Sequence, residues 1–341
     1  MRKRTRILFF LTGIVGLSAL WVVLTIVGNG RSVGPVQRVV IISSTTADVA
    51  ASLKASGVLS SSAQILFPFF VRFQGTEDGL HPGTFLIPAH APLRQVVRIL
   101  LQHGRTETRV TIPEGSSLRD LATILQKAGL VTRTEDVIAV TGTPASEQTE
   151  TVFGEKAFSY LAGKPQGISL EGYLFPDTYR FFADASVRDV AQKMLETFDV
   201  KTKDLRAEPL PYPLHSFYDV LTLASVVEAE VRGAEDQRRV ADLFLRRITA
   251  GMPLQADSTV QYASGASGRF TTAADRESQS LWNTYQHPGL PRGPIASPGL
   301  EAIRAVLHPT PNDALYFLTG PDGTVYYAKT LEEHVANKRH L

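Results

Sequence analysis

The chain contains no cysteine, which excludes a disulfide framework and any thiolate metal site. That absence is compatible with a bacterial periplasm without proving one. Charge of neither sign prevails, with 35 Lys and Arg against 33 Asp and Glu, so nothing points to nucleic acid. The zinc pattern His-Glu-x-x-His is missing and the eight histidines are scattered. Neither a Gly-x-Ser-x-Gly elbow nor a phosphate-binding glycine loop occurs. No metal and no cofactor is therefore expected. Apolar runs long enough to cross a membrane are also scarce, and Ile7 to Val27 is the one candidate.

What is present fits a membrane-tethered globular protein. About 20 apolar residues at roughly 1.5 Å rise span a ~30 Å hydrocarbon core. Arg2, Lys3, Arg4 and Arg6 precede the run, and the positive-inside rule then keeps the N-terminus cytoplasmic. A cleaved signal peptide would have an apolar region of ~7–15 residues and a small-residue cleavage site; this run is longer and leads into Asn29-Gly30-Arg31. The expectation is a single-pass membrane protein with the rest of the chain outside the cytoplasm. Residues 1–6 form a basic cytoplasmic end, 7–28 the single transmembrane helix and 29–35 a linker. The remaining length, 43% hydrophobic and 20% charged, suits globular domains.

Beyond the linker a strand, a polar turn and an amphipathic helix recur. Val39-Val40-Ile41-Ile42 leads to a helix near Asp48 that ends at Gly57, and Thr84 to Pro88 leads to a helix near Leu93. Arg109 to Pro113 leads to Leu118-Arg119-Asp120-Leu121, ending at Gly129; Tyr179 to Phe182 leads to Val187-Arg188-Asp189-Val190. Thr46 and Ser117 serve as capping residues, and Gly57 and Gly129 as left-handed helix ends. Residues 36–199 thus read as small α/β modules suited to gripping an extended polymer. The Pro-rich stretch at Pro209, Pro211 and Pro213 marks a boundary, with a mixed α/β domain over 210–341. The fold class expected is α+β. Ser216 and Asp219 form a capping box that opens a nearly all-apolar helix. Leu315 to Thr319 and Thr324 to Ala328, flanking Gly320-Pro321-Asp322-Gly323, read as a hairpin.

That apolar helix carries the most informative residues, Glu228 and Glu230. Burial raises a carboxyl pKa by disfavouring the charged form, and a carboxylic acid protonated at neutral pH can donate a proton in sugar-bond cleavage. At ~100° per residue the two side chains point about 200° apart, so they cannot flank one bond together. Geometry does not choose between them. Glu228 could instead pair with Arg232 at i,i+4, and Glu230 could be a hydrogen-bonded structural group. Two loop clusters add context: Gln255, Asp257, Thr259 and Tyr262, then Trp282-Asn283-Thr284-Tyr285. Amides and acids among aromatics suit a carbohydrate groove, although ordinary loop packing uses the same residues.

Six ordered runs resemble the endolytic murein transglycosylases, the MltG or YceG-like family. They are Glu171 to Tyr179, Leu223 to Glu230, Leu254 to Val260, Asn283 to Tyr285, Gly289 to Ile295, and Thr330 to His334. The resemblance implies a membrane-anchored lytic enzyme with a LysM-like module and a C-terminal catalytic domain. It puts the catalytic glutamate on Glu228, with Gln255, Asp257, Thr259, Tyr262, Asn283, Tyr285 and Glu230 as expected substrate-binding residues. Ser258, Trp282, Arg292, Ser297 and Val335 depart from the commoner pattern. The implied substrate is peptidoglycan glycan strands, and the implied neighbours are peptidoglycan synthases. The implied reaction cleaves the β-1,4 bond between N-acetylmuramic acid and N-acetylglucosamine, closing a 1,6-anhydro ring. It needs only one carboxylate, in keeping with the lack of an evident partner for Glu228. Two other readings remain: a non-catalytic peptidoglycan-binding scaffold, and a hydrolytic muramidase with Asp257 as the second carboxylate.

Overall fold

A computed structural model describes residues 35–341, apart from 44, 90, 102–106, 155, 184 and 266–270. The apolar run expected to anchor the chain lies outside the described residues. Among those described, no helix is long and apolar enough to cross a membrane.

The chain divides into two compact units, residues 1–107 with 182–184, and 108–181 with 185–341. The first contains strand β1 (Val36–Ile41), helices α1 (Thr46–Ala55) and α2 (Ser61–Gln74), strand β2 (Gly83–Pro88) and helix α3 (Leu93–Leu101). β1 and β2 pair antiparallel, with Val36 opposite Pro88 and Ile41 opposite Gly83. Alternation along β1 sends Val39 and Ile41 inward. There they join Leu53, Phe67, Val71, Phe85, Ile87, Val96 and Leu100 in one apolar core. Thr45, one residue before the expected Thr46, caps α1 by accepting the Asp48 N–H.

The second unit begins with strand β3 (Glu107–Thr111), whose first residue is the point of division, followed by helices α4 (Leu118–Lys127) and α5 (Thr134–Thr141). Strand β4 (Thr178–Phe182) pairs with β3, and helix α6 (Val187–Thr202) follows. All four expected strand-helix steps are present, and the repeat that contains them is larger. It is two copies of strand, two helices and strand, with the outer strands paired. α2 and α5 were not legible as its second helices, because Pro68 interrupts one and the other spans only eight residues.

The unit continues with helices α7 (Phe217–Glu230), α8 (Ala234–Thr249), α9 (Asp257–Ser264), α10 (Ala273–Arg276) and α11 (Leu300–Leu307). Strands β5 (Tyr316–Thr319) and β6 (Val325–Ala328) form the expected antiparallel hairpin, and helix α12 (Leu331–Asn337) follows. The Pro-rich stretch does not separate the compact units. Leu205 and Leu214 on either side of it are buried in the same core as α4, α6 and α7. Residues 108–199, expected to belong with the N-terminal modules, share that core instead.

α7 is the axis of this unit. Every residue from Tyr218 to Val227 except Asp219 is buried, the pattern of a helix packed all round. The Ser216–Asp219 capping box is present and satisfies donors at its N-terminus. α8 and α11 pack against it. Near its start Tyr218 donates to the Arg292 carbonyl at 3.0 Å, and in its middle the Ser225 hydroxyl accepts the Ile295 N–H at 3.0 Å. The segment 289–295 is therefore strapped along the helix. Ser225→Ala would leave that buried N–H without its acceptor, a loss of about 1–3 kcal/mol. Chemical denaturation of the variant checks this, with Ser225→Thr expected to retain more stability because it keeps the hydroxyl.

Candidate active site

Glu228 and Glu230 sit in the last turn of α7, where the burial of the helix gives way to half-exposed positions. The negative end of the helix dipole disfavours an anion there. The two side chains diverge as helical spacing requires and find different surroundings. Glu228 Oε2 accepts the Gly299 N–H at 3.1 Å, where Gly299 is the N-cap of α11. Burial raises the Glu228 pKa, the Glu114 carboxylate raises it further, and the Gly299 N–H and Arg232 oppose the rise. The alternative ion pair with Arg232 does not form: among the described residues no salt bridge joins them, and Arg232 is exposed. A raised pKa keeps more of Glu228 protonated near neutral pH, as a general acid needs.

Glu230 points instead to α9. It accepts the Ser258 hydroxyl at 2.7 Å and the Ser258 N–H at 3.3 Å. A proline at this position could donate neither bond. Burial also raises the Glu230 pKa, with the Asp257 charge adding to it and Ser258 opposing.

The loop residues fall into two groups. Thr259 and Asn283 are fully buried and Tyr262 is 7% exposed. The Thr259 hydroxyl meets the Ala256 carbonyl at 2.7 Å and the Thr284 hydroxyl at 2.9 Å. The Asn283 amide donates to the Arg276 and Ser278 carbonyls at 3.0 and 2.7 Å. These three were expected to touch sugar. In the structure they are buried and their polar groups are paired with the protein, the Tyr262 hydroxyl accepting the Ala145 N–H at 3.3 Å. Gln255, Asp257 and Tyr285 remain reachable. Gln255 is exposed and holds φ +51, an uncommon conformation for a residue other than glycine and one that clusters at ligand sites. Its N–H donates to the Thr284 carbonyl at 3.1 Å. Asp257 Oδ1 accepts from Tyr285 and Thr271, both at 2.8 Å, and from Arg276 at 3.3 Å. Asp257 thus stands beside Glu230, already engaged by three donors.

Two further acids were not among the expected site residues, although Glu171 opens one of the family-like runs. Glu114 lies in Ile112-Pro113-Glu114-Gly115, between β3 and α4. The Gly115 N–H donates to the Ser297 carbonyl and Ser297 N–H to the Ser116 carbonyl, both at 2.9 Å. This brings the turn against the segment that leads into Gly299. A Cβ at Gly115 would lie 3.6 Å from Glu228 Cγ, and one at Gly299 would collide with the Glu114 carboxylate. Glu228 therefore does have a carboxylate neighbour, contrary to its isolation in sequence. Glu114 is 114 positions away along the chain and carries no local signal beyond an ordinary Pro-Glu-Gly turn.

Glu171 is the second, 1% exposed. Its oxygens accept the Leu118 N–H at 3.0 and 3.2 Å, at the N-terminus of α4. Burial nevertheless pushes its pKa up to about 8, against the Leu118 N–H and the Tyr262 hydroxyl. The unfolded carboxyl titrates near 4.5, so between these values the folded protein holds more protons than the unfolded chain. Stability conferred by neutral Glu171 is then complete below the unfolded value and is lost as pH rises towards about 8. The slope is at most ~1.4 kcal/mol per pH unit. Glu171→Gln should flatten it, as urea titrations of both proteins across that range would read.

Fold and site together define a mixed α+β protein with two glutamates, Glu228 and Glu230, whose pKa values burial raises at the end of a buried helix, and with no metal-binding cluster among the described residues. The chain belongs to the YceG-like family, whose model matches residues 39–340. Over 294 residues it is 30% identical to an endolytic murein transglycosylase of Bacillus subtilis (strain 168), covering 85% of this chain and 80% of that protein. An endolytic murein transglycosylase of Streptococcus pneumoniae (strain ATCC BAA-255 / R6) is 29% identical over 311 residues, again 85% of this chain. The chain spans about half, 55%, of that pneumococcal relative. A crystal structure of a yceG-like protein from Listeria monocytogenes superposes with a TM-score of 0.58 at 29% identity, covering 88% of this chain and 98% of that one.

Proposed function

We propose that this protein is an endolytic lytic transglycosylase of peptidoglycan, with Glu228 as its acid. The observation that carries the reading is the placement of Glu228: half-buried, at a helix end that disfavours its anion, and held by the Gly299 N–H. Protonated Glu228 gives its proton to the glycosidic oxygen between N-acetylmuramic acid and N-acetylglucosamine. The resulting carboxylate takes the proton of the muramyl C6 hydroxyl, whose oxygen closes on C1 to give the 1,6-anhydro end. The proton lost by the acid is thereby returned to it, and no water is consumed. Gln255, Asp257, Tyr285 and Glu230 are the residues placed to bind flanking sugars or to hold the loops that do.

The names of the relatives support this chemistry, and the twofold strand-helix-helix-strand arrangement supports LysM-like modules that grip the strand. The run Ile7 to Val27, with the basic residues before it, supports an inner-membrane anchor and a periplasmic catalytic domain beside peptidoglycan synthases. Termination of nascent strands is the task this location suits. The Glu114 carboxylate gives one observation in favour of a second reading, hydrolysis by two acids. It makes Glu114, not the engaged Asp257, the candidate second acid. Cleavage inside strands is tested by incubating long purified glycan with the protein and sizing the products. Fragments of intermediate length are expected, whereas exclusive release of terminal disaccharides would contradict endolytic action.

A further inference from the structure

We propose that Glu114 is a positioning residue for the acid, holding the proton on Glu228 through its own negative charge. The inference deepens the reading of Glu228 as the acid and rests on it. The geometry is a glycine flanked by two carboxylates. The Gly299 N–H is bonded to Glu228 Oε2 at 3.1 Å. On its other side a Cβ at Gly299 would stand 2.8 Å from Glu114 Oε2, with the rest of the carboxylate closer still. Glycine at this position leaves room for Glu114, since its φ of −73° makes no demand that other residues could not meet. The β3–α4 turn is held there independently of Glu114, by the two backbone bonds between 115–116 and Ser297.

Charge sets the direction of the effect. Like charges close together make the second ionisation harder. Glu114 is exposed to water, whereas Glu228 is half-buried, so burial and the neighbouring carboxylate both weigh on Glu228. The charged groups acting on Glu228 are Glu114, from the β3–α4 turn, and Arg232, beyond the end of its own helix. From α11 comes only the Gly299 N–H, and Asp257 on α9 acts on Glu230 instead. Glu235 on α8 is paired with Arg238 and Arg239. Glu114 is thus the one anion in this set that opposes ionisation of Glu228.

The test is the pH profile of glycan cleavage by the whole chain, with direct titration of Glu228 by NMR of carboxyl-labelled glutamate. Glu114→Gln should move the alkaline limb of kcat/KM, and the Glu228 titration, down by ~0.5–1 pH unit. Activity below the limb should remain, so the loss grows with pH. Gly299→Ala should produce the same shift by displacing the Glu114 carboxylate. Glu114→Asp, which keeps the charge, should restore part of it. A limb and a titration midpoint left in place by Glu114→Gln would overturn the inference, as would an equal loss at every pH. If wild-type protein cleaves no glycan, the functional reading fails, while the titration still decides the role of Glu114.

Discussion

Glu228→Gln is expected to lower turnover by about 10²–10⁴-fold while leaving glycan binding near its wild-type strength. General acid-base help is typically of that size. The substitution keeps the shape of the side chain and the oxygen that accepts the Gly299 N–H at 3.1 Å. It removes the proton that, in the mechanism proposed above, leaves and returns in each cycle. The site should thus still assemble, and loss in kcat without a matching rise in KM separates chemistry from binding. Binding measured by calorimetry on intact strands provides the second reading. A variant that cleaves at near the wild-type rate would remove Glu228 from its role, and Glu230→Gln is the natural comparison. Glu230 is bonded to Ser258 and lies beside Asp257, so its loss should disturb the α7–α9 junction without removing the acid.

Gly172→Ala should destabilise the protein by ~2–5 kcal/mol. Gly172 has φ +85, a conformation that costs other residues about 1–3 kcal/mol. The new Cβ would also meet Pro294 Cβ at 2.7 Å, Pro294 Cγ at 2.8 Å and Leu221 Cδ2 at 3.2 Å. Neither a proline ring nor a core leucine in α7 yields cheaply, and overpacking adds roughly 1–3 kcal/mol. The collision falls where the 168–177 segment meets α7 and the strap that runs along it. Thermal and chemical denaturation read the loss. Because Pro294 belongs to the segment leading to Gly299, activity at low temperature should fall too. An unchanged midpoint would mean that this junction is looser than its contacts indicate.

What could be read from sequence follows the range of the interactions involved. The capping box at Ser216–Asp219, the hairpin around Gly320 to Gly323 and the all-apolar α7 are local, and each is set by neighbours within a few positions. The divergence of Glu228 and Glu230 follows from helical geometry alone. Glu114, Gly115, Glu228 and Gly299 meet only because β3, α7 and α11 belong to one core, and no spacing rule links such distant positions. The groove residues illustrate another limit. Thr259, Tyr262 and Asn283 carry groups that can bond a sugar or a neighbouring loop equally well. The structure buries them, and their bonds go to the loops. Domain boundaries were obscured for a related reason. Prolines 209, 211 and 213 look like a linker, yet Leu205 and Leu214 beside them belong to the core.

The most direct test of the central claim is mass spectrometry of the new ends made when the full chain digests purified glycan strands. One acid acting through the muramyl C6 hydroxyl predicts 1,6-anhydro-N-acetylmuramic acid ends, with no incorporation of labelled oxygen when the digest is run in H₂¹⁸O. Reducing ends carrying ¹⁸O would contradict the account and make Glu228 and Glu114 a hydrolytic pair.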